Sequence, residues 1–455
     1  MNLPDYFLAD LPPEAVLSPA MITEACQTLK RNRAQYLARR STDSLVGVLC
    51  GVAEAWLKPD NAFRRQALEA GPVKTGFARA TLQKGLDTLF RQFTADNFHA
   101  LLAQELGDAR RLDRFVENGV REKTNRSALA VGPEFLVHIA AGNIPNPVLM
   151  SLALGLLVRS AQFMKCAHGA AFLPRLFAHS IYAADAKLGA CLEVAEWRGG
   201  KADLETALFA EADCVTATGG DETLAAIRAR LPVKPRFLGY GHRVSFGFVA
   251  REVSSGFGSR QIVSSATDDV VAWNQLGCLS PHVIYVQTGG EVSPEEFAGR
   301  LADELERREQ TEPRGELPAE HAAVIASRRG IYEIRAVHSP ETTQHWCSRD
   351  STAWTVVYEA DAQFQLSCLN RFIYVKPARD LAEALRSAEM VRGQVSTVGL
   401  AAPEQKQGEL AAQLARWGVT RVCPLGRMQD PPLAWRHDGR PALGDLVTWT
   451  DWEMG

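Results

Sequence analysis

The feature that most restricts the fold of this chain is an alternation of short apolar runs with longer amphipathic runs between residues 134 and 425. The short runs are rich in β-branched residues and have the length of buried strands, whereas the longer runs have the spacing of helices. Strands that alternate with helices in this way form a parallel sheet with helices on both faces. A charged, proline-containing run, Thr311 to Pro318, is predicted to be an exposed loop. The sequence therefore predicts an α/β fold, in which ligands bind beyond the carboxyl ends of the strands.

One stretch without Asp, Glu, Lys or Arg, from Phe135 to Val158, has the length of a membrane-spanning helix. Its centre reads Gly142-Asn143-Ile144-Pro145-Asn146-Pro147, and the two prolines interrupt any helix at this place. We therefore predict a buried strand, a polar turn and a buried helix here, and no transmembrane segment.

The composition argues against several classes of protein. The formal net charge of −3 provides no field that would attract nucleic acid. The nine cysteines are scattered without a C-x-x-C pair, so neither a disulfide framework nor a cysteine-rich zinc site is expected. The first residues have no secretory signal pattern. We expect a cytoplasmic protein without a metal centre.

Polar and glycine residues stand near the predicted carboxyl ends of two strands. Lys165 lies near the end of one strand, and Thr218, Gly219 and Gly220 follow another, with Asp221 as the predicted cap of the next helix. A Gly-Gly turn that opens a helix lets the backbone approach a phosphate, whose charge the helix N-terminus favours. Such turns are common at strand ends, and this one is not the G-x-G-x-x-G motif, so the signal taken alone is weak.

The run Trp273-Asn274-Gln275-Leu276-Gly277-Cys278-Leu279-Ser280-Pro281 places a cysteine beside residues that rarely pack cores. We interpret it as a helix end, a tight Gly-Cys turn and the start of a strand. A cysteine in such a turn presents its sulfur to a cleft and its backbone N–H to an oxyanion formed by attack on a carbonyl. Most cysteines are instead small core residues, but the neighbouring Asn, Gln and Gly favour a reactive Cys278.

In combination, these motifs resemble the aldehyde dehydrogenase superfamily. Asn143-Ile144-Pro145, Lys165, Thr218-Gly219-Gly220 and Asn274-Gln275-Leu276-Gly277-Cys278 stand in the order found there. The run Gln-x-Gly-Cys-Leu-Ser-Pro and the tail with His437-Asp438-Gly439 and Val447-x-Trp449 resemble more narrowly the acyl-CoA reductase branch, which looks like the long-chain acyl reductase subunit of the bacterial bioluminescence fatty-acid reductase complex. This resemblance covers most of the chain from about residue 134 onward.

The resemblance implies an aldehyde dehydrogenase-like fold with a Rossmann-type cofactor domain, an α/β catalytic domain and a small β-rich oligomerisation element. Residues 1–115, with a break at Gly71-Pro72, are then helices of the cofactor domain. The remaining segments are expected to be bridging strands (116–133), the Rossmann-like NADP-binding domain (134–240), the catalytic domain (241–425) and a tail with an oligomerisation strand (426–455). A homo-oligomer, dimer or tetramer, is expected.

The same resemblance implies roles for single residues. Cys278 is then the nucleophile, and the side-chain amide of Asn143 stabilises the oxyanion. Lys165 contacts the adenosine ribose of a nicotinamide cofactor, and the Thr218-Gly219-Gly220 turn lies along its adenine and pyrophosphate.

Two departures from the superfamily pattern refine the prediction. Aldehyde-oxidising members carry a Glu general base in a Glu-Leu-Gly-Gly stretch, where the matching stretch here begins with Phe237. Without that base, water is poorly activated to hydrolyse an acyl-enzyme, so a thioester becomes the expected partner. NAD-preferring members often carry Glu three residues after the Lys, where His168 stands here. Lys165 and His168 together tolerate a 2′-phosphate, so NADPH is the first choice of cofactor and NADH the second.

The sequence thus predicts an acyl-CoA reductase that converts an acyl thioester, fatty acyl-CoA first of all, to the aldehyde with NADPH through an acyl-Cys278 intermediate. The acyl group comes from CoA or from a partner protein. The base that assists Cys278 is not identified, and His242 and His282 are suggested only by their nearness in sequence. The alternatives are a cysteine acyltransferase or thioesterase, an acyl-carrying subunit of a reductase complex and, nearer, an aldehyde-oxidising dehydrogenase.

Overall fold

A computed structural model describes residues 3–12, 14–117, 126–254 and 256–453. The chain forms two compact units. The first comprises Met1–Thr75, Leu86–Gly241 and Pro432–Gly455, and the second comprises Gly76–Gly85 and His242–Pro431. The short segment Gly76–Gly85 is therefore part of the second unit, whereas the sequence had grouped it with the rest of residues 1–115.

The secondary structure follows the predicted alternation. The described strands are β1 (Val116–Glu117), β2 (Arg126–Val131), β3 (Phe135–Ile139), β4 (Ala161–Cys166), β5 (Leu192–Glu196), β6 (Cys214–Thr218), β7 (Arg236–Tyr240), β8 (Val244–Val249), β9 (Pro281–Gln287), β10 (Thr343–Cys347), β11 (Thr355–Glu359), β12 (Phe372–Ala378), β13 (Val395–Ala401), β14 (Arg421–Pro424) and β15 (Thr448–Glu453). The described α-helices are α1 (Pro19–Asn32), α2 (Thr42–Leu57), α3 (Ala62–Thr75), α4 (Arg79–Phe90), α5 (Ala95–Leu106), α6 (Asn146–Leu157), α7 (Phe172–Ala184), α8 (Ala186–Gly189), α9 (Ala202–Glu211), α10 (Asp221–Arg230), α11 (Gly256–Val271), α12 (Pro294–Thr311), α13 (Ala319–His338), α14 (Leu381–Ser387) and α15 (Glu404–Trp417).

In the first unit, five of the described strands form a parallel sheet in the order β5-β4-β3-β6-β7. The chain runs from β3 outward through β4 to β5, then crosses back through α9 to β6 on the other side of β3. The strand order therefore reverses between β3 and β6. In open α/β sheets, the crevice at the carboxyl ends of two such strands is where ligands bind.

A line of polar side chains crosses the buried core of this sheet. Gln162 Nε2 donates to the backbone oxygen of Leu152 over 3.0 Å, so its Oε1, 2.9 Å from Nε2 of His138, accepts from the imidazole. Nδ1 of His138 then accepts from the Thr216 hydroxyl over 2.7 Å. Burial lowers the pKa of His138 to about 4, so the ring is neutral near pH 7. Each polar group in the line thus has a partner, as buried polar groups require.

A small antiparallel sheet of the described strands, in the order β1-β2-β15, also belongs to the first unit. The predicted bridging segment 116–133 contributes β1 and β2, while residues 118–125 lie outside the described part of the chain. Every residue of β15 is exposed, including Trp449 and Trp452. Arg236 donates to the backbone oxygens just before β15, which attaches the tail to β7. An oligomerisation role for β15 stays a prediction.

In the second unit, seven of the described strands form one sheet in the order β10-β11-β12-β9-β8-β13-β14. All neighbouring pairs are parallel except the pair of β10 with β11 at one edge. Apolar residues of β8, β9 and β12 enter two separate hydrophobic clusters. The sheet is thus covered on both faces, as a parallel sheet requires.

One local prediction was largely confirmed and another was wrong. The run Thr311 to Pro318 is mainly an exposed loop, as predicted, except that Arg314 is buried and donates to the backbone oxygen of Thr352 over 2.6 Å. Gly71-Pro72 does not break the N-terminal helices but lies inside α3, one turn before its end. A proline inside a helix removes one intrahelical hydrogen bond, because its nitrogen carries no hydrogen, but α3 continues through it.

Among the described residues, no helix combines the length and the apolar character needed to cross a membrane. The uncharged stretch from Phe135 to Val158 folds as β3, a polar turn and α6, as predicted.

The packing of α6 against β4 leads to a first prediction. A Cβ at Gly155 would stand 2.1 Å from Oε1 of Gln162. Gly155→Ala is expected to lower the free energy of unfolding by about 1–3 kcal/mol, because Gln162 must leave its hydrogen bonds. Gly51, inside α2, has no described atom within 4 Å of an added Cβ. Gly51→Ala should therefore raise stability by about 0.5–1 kcal/mol. Urea denaturation measures both, and equal stability of the two variants would contradict this packing.

Candidate active site

Cys278 lies in a turn between the end of α11 and the start of β9, so the predicted order of helix end, turn and strand is confirmed. A short helical segment, Ala272–Gln275, precedes the turn. Within it Trp273, Asn274 and Gln275 have φ angles of 49°, 52° and 61°. Such left-handed backbone costs on the order of 1–3 kcal/mol per residue without glycine. Tertiary contacts must therefore hold this segment.

Two buried amide side chains supply some of these contacts. Asn274 Nδ2 donates to the backbone oxygen of Arg314 over 2.9 Å, and its Oδ1 accepts from Nε of Arg371 over 3.0 Å. Gln275 Nε2 donates to the backbone oxygen of Pro281 over 2.8 Å. In the sequence, this Asn and Gln favoured a reactive Cys278 because such residues rarely pack cores. They are buried, and their hydrogen bonds shape the backbone that leads to Cys278.

The indole of Trp273 occupies a tight site within the second unit. Its ring meets that of Phe77 edge to face at a centroid distance of 5.1 Å. A Cβ at Gly85 would stand only 2.0 Å from an indole carbon, so this position has no room for a side chain. The segment Gly76–Gly85 is therefore part of the support of the turn, although it is distant from it in sequence.

The Gly-Cys turn is held by neighbouring side chains as well. Cys278 is half-buried, and its carbonyl oxygen accepts from the hydroxyl of Ser245 over 2.8 Å. Gln429 Nε2 donates to the hydroxyl of Ser280 over 2.7 Å. A Cβ at Gly277 would stand 2.3 Å from the same Nε2, which explains the glycine before the cysteine. The backbone position of Cys278 is thus restrained from two sides.

His282, at the start of β9, is not suited to act as a base for Cys278. Its Nδ1 accepts from the backbone N–H of Ser367 over 3.1 Å, so the remaining proton of the neutral ring is on Nε2. Burial and the nearby charge of His242 lower the pKa of His282 to about 4. A ring that is already committed at Nδ1 and protonated at Nε2 has no lone pair for a thiol proton. The role of His242 as the base that assists Cys278 remains a prediction.

In the first unit, Asn143 and Thr218 line one small pocket at the point where the strand order reverses. Its floor includes Thr216 and His138 of the buried polar line. The structure thus brings together two of the predicted site residues, one from the turn after β3 and one from the end of β6.

The turn after Thr218 differs in one respect from the prediction. Gly219 donates its N–H to the backbone oxygen of Tyr240 over 3.2 Å, and an added Cβ at Gly220 would meet no described atom within 4 Å. The helix cap is Gly220, and Asp221 is instead the first residue of α10, followed by Glu222. Two carboxylates in the first turn of a helix offset the attraction of its N-terminus for an anionic ligand. The backbone is accessible for a phosphate, but the local charge favours it less than the sequence suggested.

Lys165 is buried near the end of β4. Its Nζ lies 5.7 Å from the centroid of the Trp197 indole. Burial lowers the pKa of the ammonium group, and the carboxylates of Glu205 and Glu196 act in the opposite direction. The ammonium group thus lies over an aromatic ring and within electrostatic reach of two carboxylates.

His168 is exposed and has a carboxylate neighbour that the sequence analysis missed. Its Nδ1 lies 3.1 Å from Oε1 of Glu196, which comes from the end of the adjacent strand β5. The same carboxylate accepts from the backbone N–H groups of Gly169 over 2.8 Å and Ala171 over 3.2 Å. Only the position of Glu196 in the sequence could have pointed to it, because Glu196 ends β5, the strand that follows β4 in the chain. The predicted site residues are therefore divided between the units, with Cys278 in the second and Asn143, Lys165, His168, Thr218, Gly219 and Gly220 in the first.

Comparison with known proteins links the chain to one family. The model of the family described as acyl-CoA reductase (LuxC) matches residues 37–449. The long-chain acyl-protein thioester reductase 2 of Photobacterium leiognathi is 21% identical over 322 residues, which cover 70% of this chain and 63% of that protein. The long-chain acyl-protein thioester reductase of Photorhabdus laumondii is 19% identical over 416 residues, 90% of this chain and 82% of that protein. The chain thus matches less than two thirds of the length of the Photobacterium relative.

Solved structures share the fold. A protein of Anabaena variabilis, described as an aldehyde dehydrogenase, matches with a TM-score of 0.70 at 15% identity over 96% of this chain and 93% of its own. The Δ-pyrroline-5-carboxylate dehydrogenase of Mycobacterium tuberculosis matches with a TM-score of 0.66 at 13% identity over 96% of this chain and 82% of its own. At such identities the likeness establishes the fold, which is that of the aldehyde dehydrogenases, as predicted.

The buried neutral His282 leads to a prediction about acid stability. Its pKa is about 4 in the folded protein, below the ordinary value of 6.5, so the unfolded chain binds the proton first as the pH falls. Stability should decrease between pH 6.5 and 4, by roughly 3 kcal/mol from this group. His282→Asn, which keeps an acceptor for Ser367, should flatten the dependence of unfolding free energy on pH. His99→Asn at an exposed position is the control. An unchanged slope in His282→Asn would contradict the neutral assignment.

Proposed function

The chain belongs to the acyl-CoA reductase (LuxC) family, and from this premise we propose that it reduces a fatty acyl thioester to the aldehyde with NADPH. The proposed acyl carrier is CoA, which the family description names, or a partner protein, which the names of the two relatives give for those proteins. The observation that carries the proposal is the restrained Gly-Cys turn, which presents a half-buried cysteine on a backbone fixed by Ser245 and Gln429.

In the proposed reaction, the thiolate of Cys278 attacks the thioester carbonyl and forms a tetrahedral oxyanion. The backbone N–H of Cys278 is the proposed donor to this oxyanion. The bond to the carrier sulfur then breaks, the carrier thiolate takes up a proton, and the acyl group remains on Sγ of Cys278. The role of Asn143 as a second oxyanion donor remains a prediction from the family resemblance.

The residues of the first unit fit a nicotinamide cofactor, which the family and the fold imply. Asn143 and Thr218 line a pocket at the reversal of the strand order, and the backbone at Gly220 is open to an approaching group. Lys165 and His168 are the proposed partners of the adenosine ribose. When bound, the cofactor would supply the hydride that reduces the acyl thioester to the aldehyde, and the bond between the acyl carbon and Sγ of Cys278 would break to return the thiolate.

The choice of NADPH rests on the environment of His168. The carboxylate of Glu196 is directed into the loop, where it accepts two backbone N–H groups and faces the imidazole. The ammonium of Lys165 would favour a 2′-phosphate beside His168. The carboxylate of Glu196 acts against that phosphate, but its oxygens already accept two backbone N–H groups of the loop.

A test of the nucleophile compares Cys278→Ala with Cys347→Ala, a second half-buried cysteine of the same unit. Acyl-CoA is added with and without NADPH, and acyl-enzyme, aldehyde and free acid are measured by mass spectrometry. Cys278→Ala should lose acyl labelling and aldehyde while retaining NADPH binding, because the attacking sulfur is absent. Turnover in that variant would refute the assignment. In the wild type, labelling without aldehyde would indicate an acyl carrier, and free acid without cofactor use a thioesterase.

A second test addresses the cofactor through the ratio of kcat/KM for NADPH and NADH. The wild type is expected to prefer NADPH. His168→Glu should lower the ratio, mainly through the KM of the cofactor, because a second carboxylate beside Glu196 repels the 2′-phosphate. His168→Gln controls for loss of the imidazole. Glu196→Gln should raise the ratio if the carboxylate of Glu196 repels the 2′-phosphate on the ribose. A wild type that prefers NADH would overturn the proposal.

A further inference from the structure

A second left-handed segment lies in the turn before β12. Leu369, Asn370 and Arg371 have φ angles of 60°, 55° and 65°, and none of them is glycine. This run resembles Trp273–Gln275 in the turn before Cys278, which also has three consecutive positive φ angles. Both segments are strained, and the side chain of Arg371 joins them.

The two segments are connected through a closed ring of hydrogen bonds within the second unit. Arg371 Nε donates to Oδ1 of Asn274 over 3.0 Å, and its Nη1 donates to Oε2 of Glu309 over 2.8 Å. The carboxylate of Glu309 also accepts from the backbone N–H of Arg314 over 3.1 Å. The backbone oxygen of Arg314 accepts from Nδ2 of Asn274, which closes the ring. A further bond runs from Nη1 of Arg371 to the backbone oxygen of Glu312 over 2.8 Å.

Joining two loops through the guanidinium of Arg371 has a high desolvation cost, because the charged group is buried. The side chain is fully buried, and burial lowers its pKa to about 10 although Glu309 and Glu312 act in the opposite direction. A buried ion pair is often no more stabilising than apolar residues of the same volume. The geometry offers another reason for an arginine, since a planar guanidinium donates in two fixed directions at once. The single ammonium of a lysine cannot reproduce this arrangement.

We propose that Arg371 is a positioning residue for the reaction: by holding Asn274 it keeps the segment Trp273–Gln275 in its left-handed form and thereby sets the place of Cys278. The inference rests on the proposed function only in that Cys278 is the nucleophile there. Arg371 acts through Asn274 and the turn, and no contact with substrate is ascribed to it.

The test uses variants that open the ring of hydrogen bonds at two places. Arg371→Lys keeps the positive charge but loses the fork. Asn274→Gly removes both bonds of the side chain, and because glycine adopts left- and right-handed φ about equally, nothing at residue 274 then holds the left-handed form. Arg159→Lys is the matched control, because Arg159 is a buried arginine of the first unit that donates to the backbone oxygen of Arg40 and to Thr42. The double variant Asn274→Gly/Arg371→Lys completes the set.

The primary readout does not depend on reductase activity. The rate of alkylation of Cys278 by iodoacetamide is followed by mass spectrometry from pH 6 to 9, with half-buried Cys50 of the first unit as the internal reference. Arg371→Lys and Asn274→Gly should each change the rate at Cys278 relative to Cys50 by at least about threefold, because thiol reactivity follows local environment. The double variant should change it no further than the larger single effect, since both substitutions open one ring. In single turnover with acyl-CoA, acylation should fall about tenfold or more, as expected for a displaced reacting group.

Several outcomes are decisive. A Cys278 to Cys50 ratio within threefold of the wild type in both single variants overturns the inference, as does an equal change in Arg159→Lys. The inference is also overturned if the fold-change of the alkylation ratio in the double variant equals the product of the two single fold-changes. If Arg371→Lys does not fold, Asn274→Gly alone decides by the same threshold. If the ring variants change alkylation but acyl-CoA never labels wild-type Cys278, the positioning inference stands and the proposed function fails.

Discussion

The conformation of the segment Trp273–Gln275 is the constraint on which the candidate active site depends. Three consecutive residues with side chains adopt positive φ, a form that the local sequence disfavours. The form persists because the buried amides of Asn274 and Gln275 find backbone partners and the indole of Trp273 fits against Gly85. The cost of the strain is met by contacts distributed over the second unit, and the result is a defined position for Cys278.

A similar balance between burial and polarity holds in the first unit. His138 and Gln162 are buried, yet their hydrogen bonds form a continuous line from α6 to Thr216 at the floor of the pocket. Such a line tolerates little change, because a displaced member leaves a buried polar group without a partner. The pocket beside Asn143 and Thr218 is therefore lined in part by side chains that are hydrogen-bonded to one another inside the sheet.

Two histidines of the candidate site have neighbours that their positions in the sequence did not predict. His282 is neutral and committed to Ser367, so nearness to Cys278 in sequence did not make it a base. His168 has the carboxylate of Glu196 as a neighbour, although no acidic residue stands near it in sequence. In both cases the partner comes from another element of the sheet. Protonation and charge in such a site are properties of the neighbours that tertiary structure supplies.

The sequence by itself determined the α/β class, the order of the central strands and helices, and the turns that carry Asn143, Thr218 and Cys278, because hydrophobic periodicity and turn residues act over a few positions. It did not reveal that Gly71-Pro72 lies within a helix, nor that Arg314 is buried, since the partner of Arg314 is the distant Thr352. Only the tertiary structure decided which residues support the turn, because Arg371, Glu309 and Gly85 are far from Cys278 in the chain and meet its turn only after the second unit has folded.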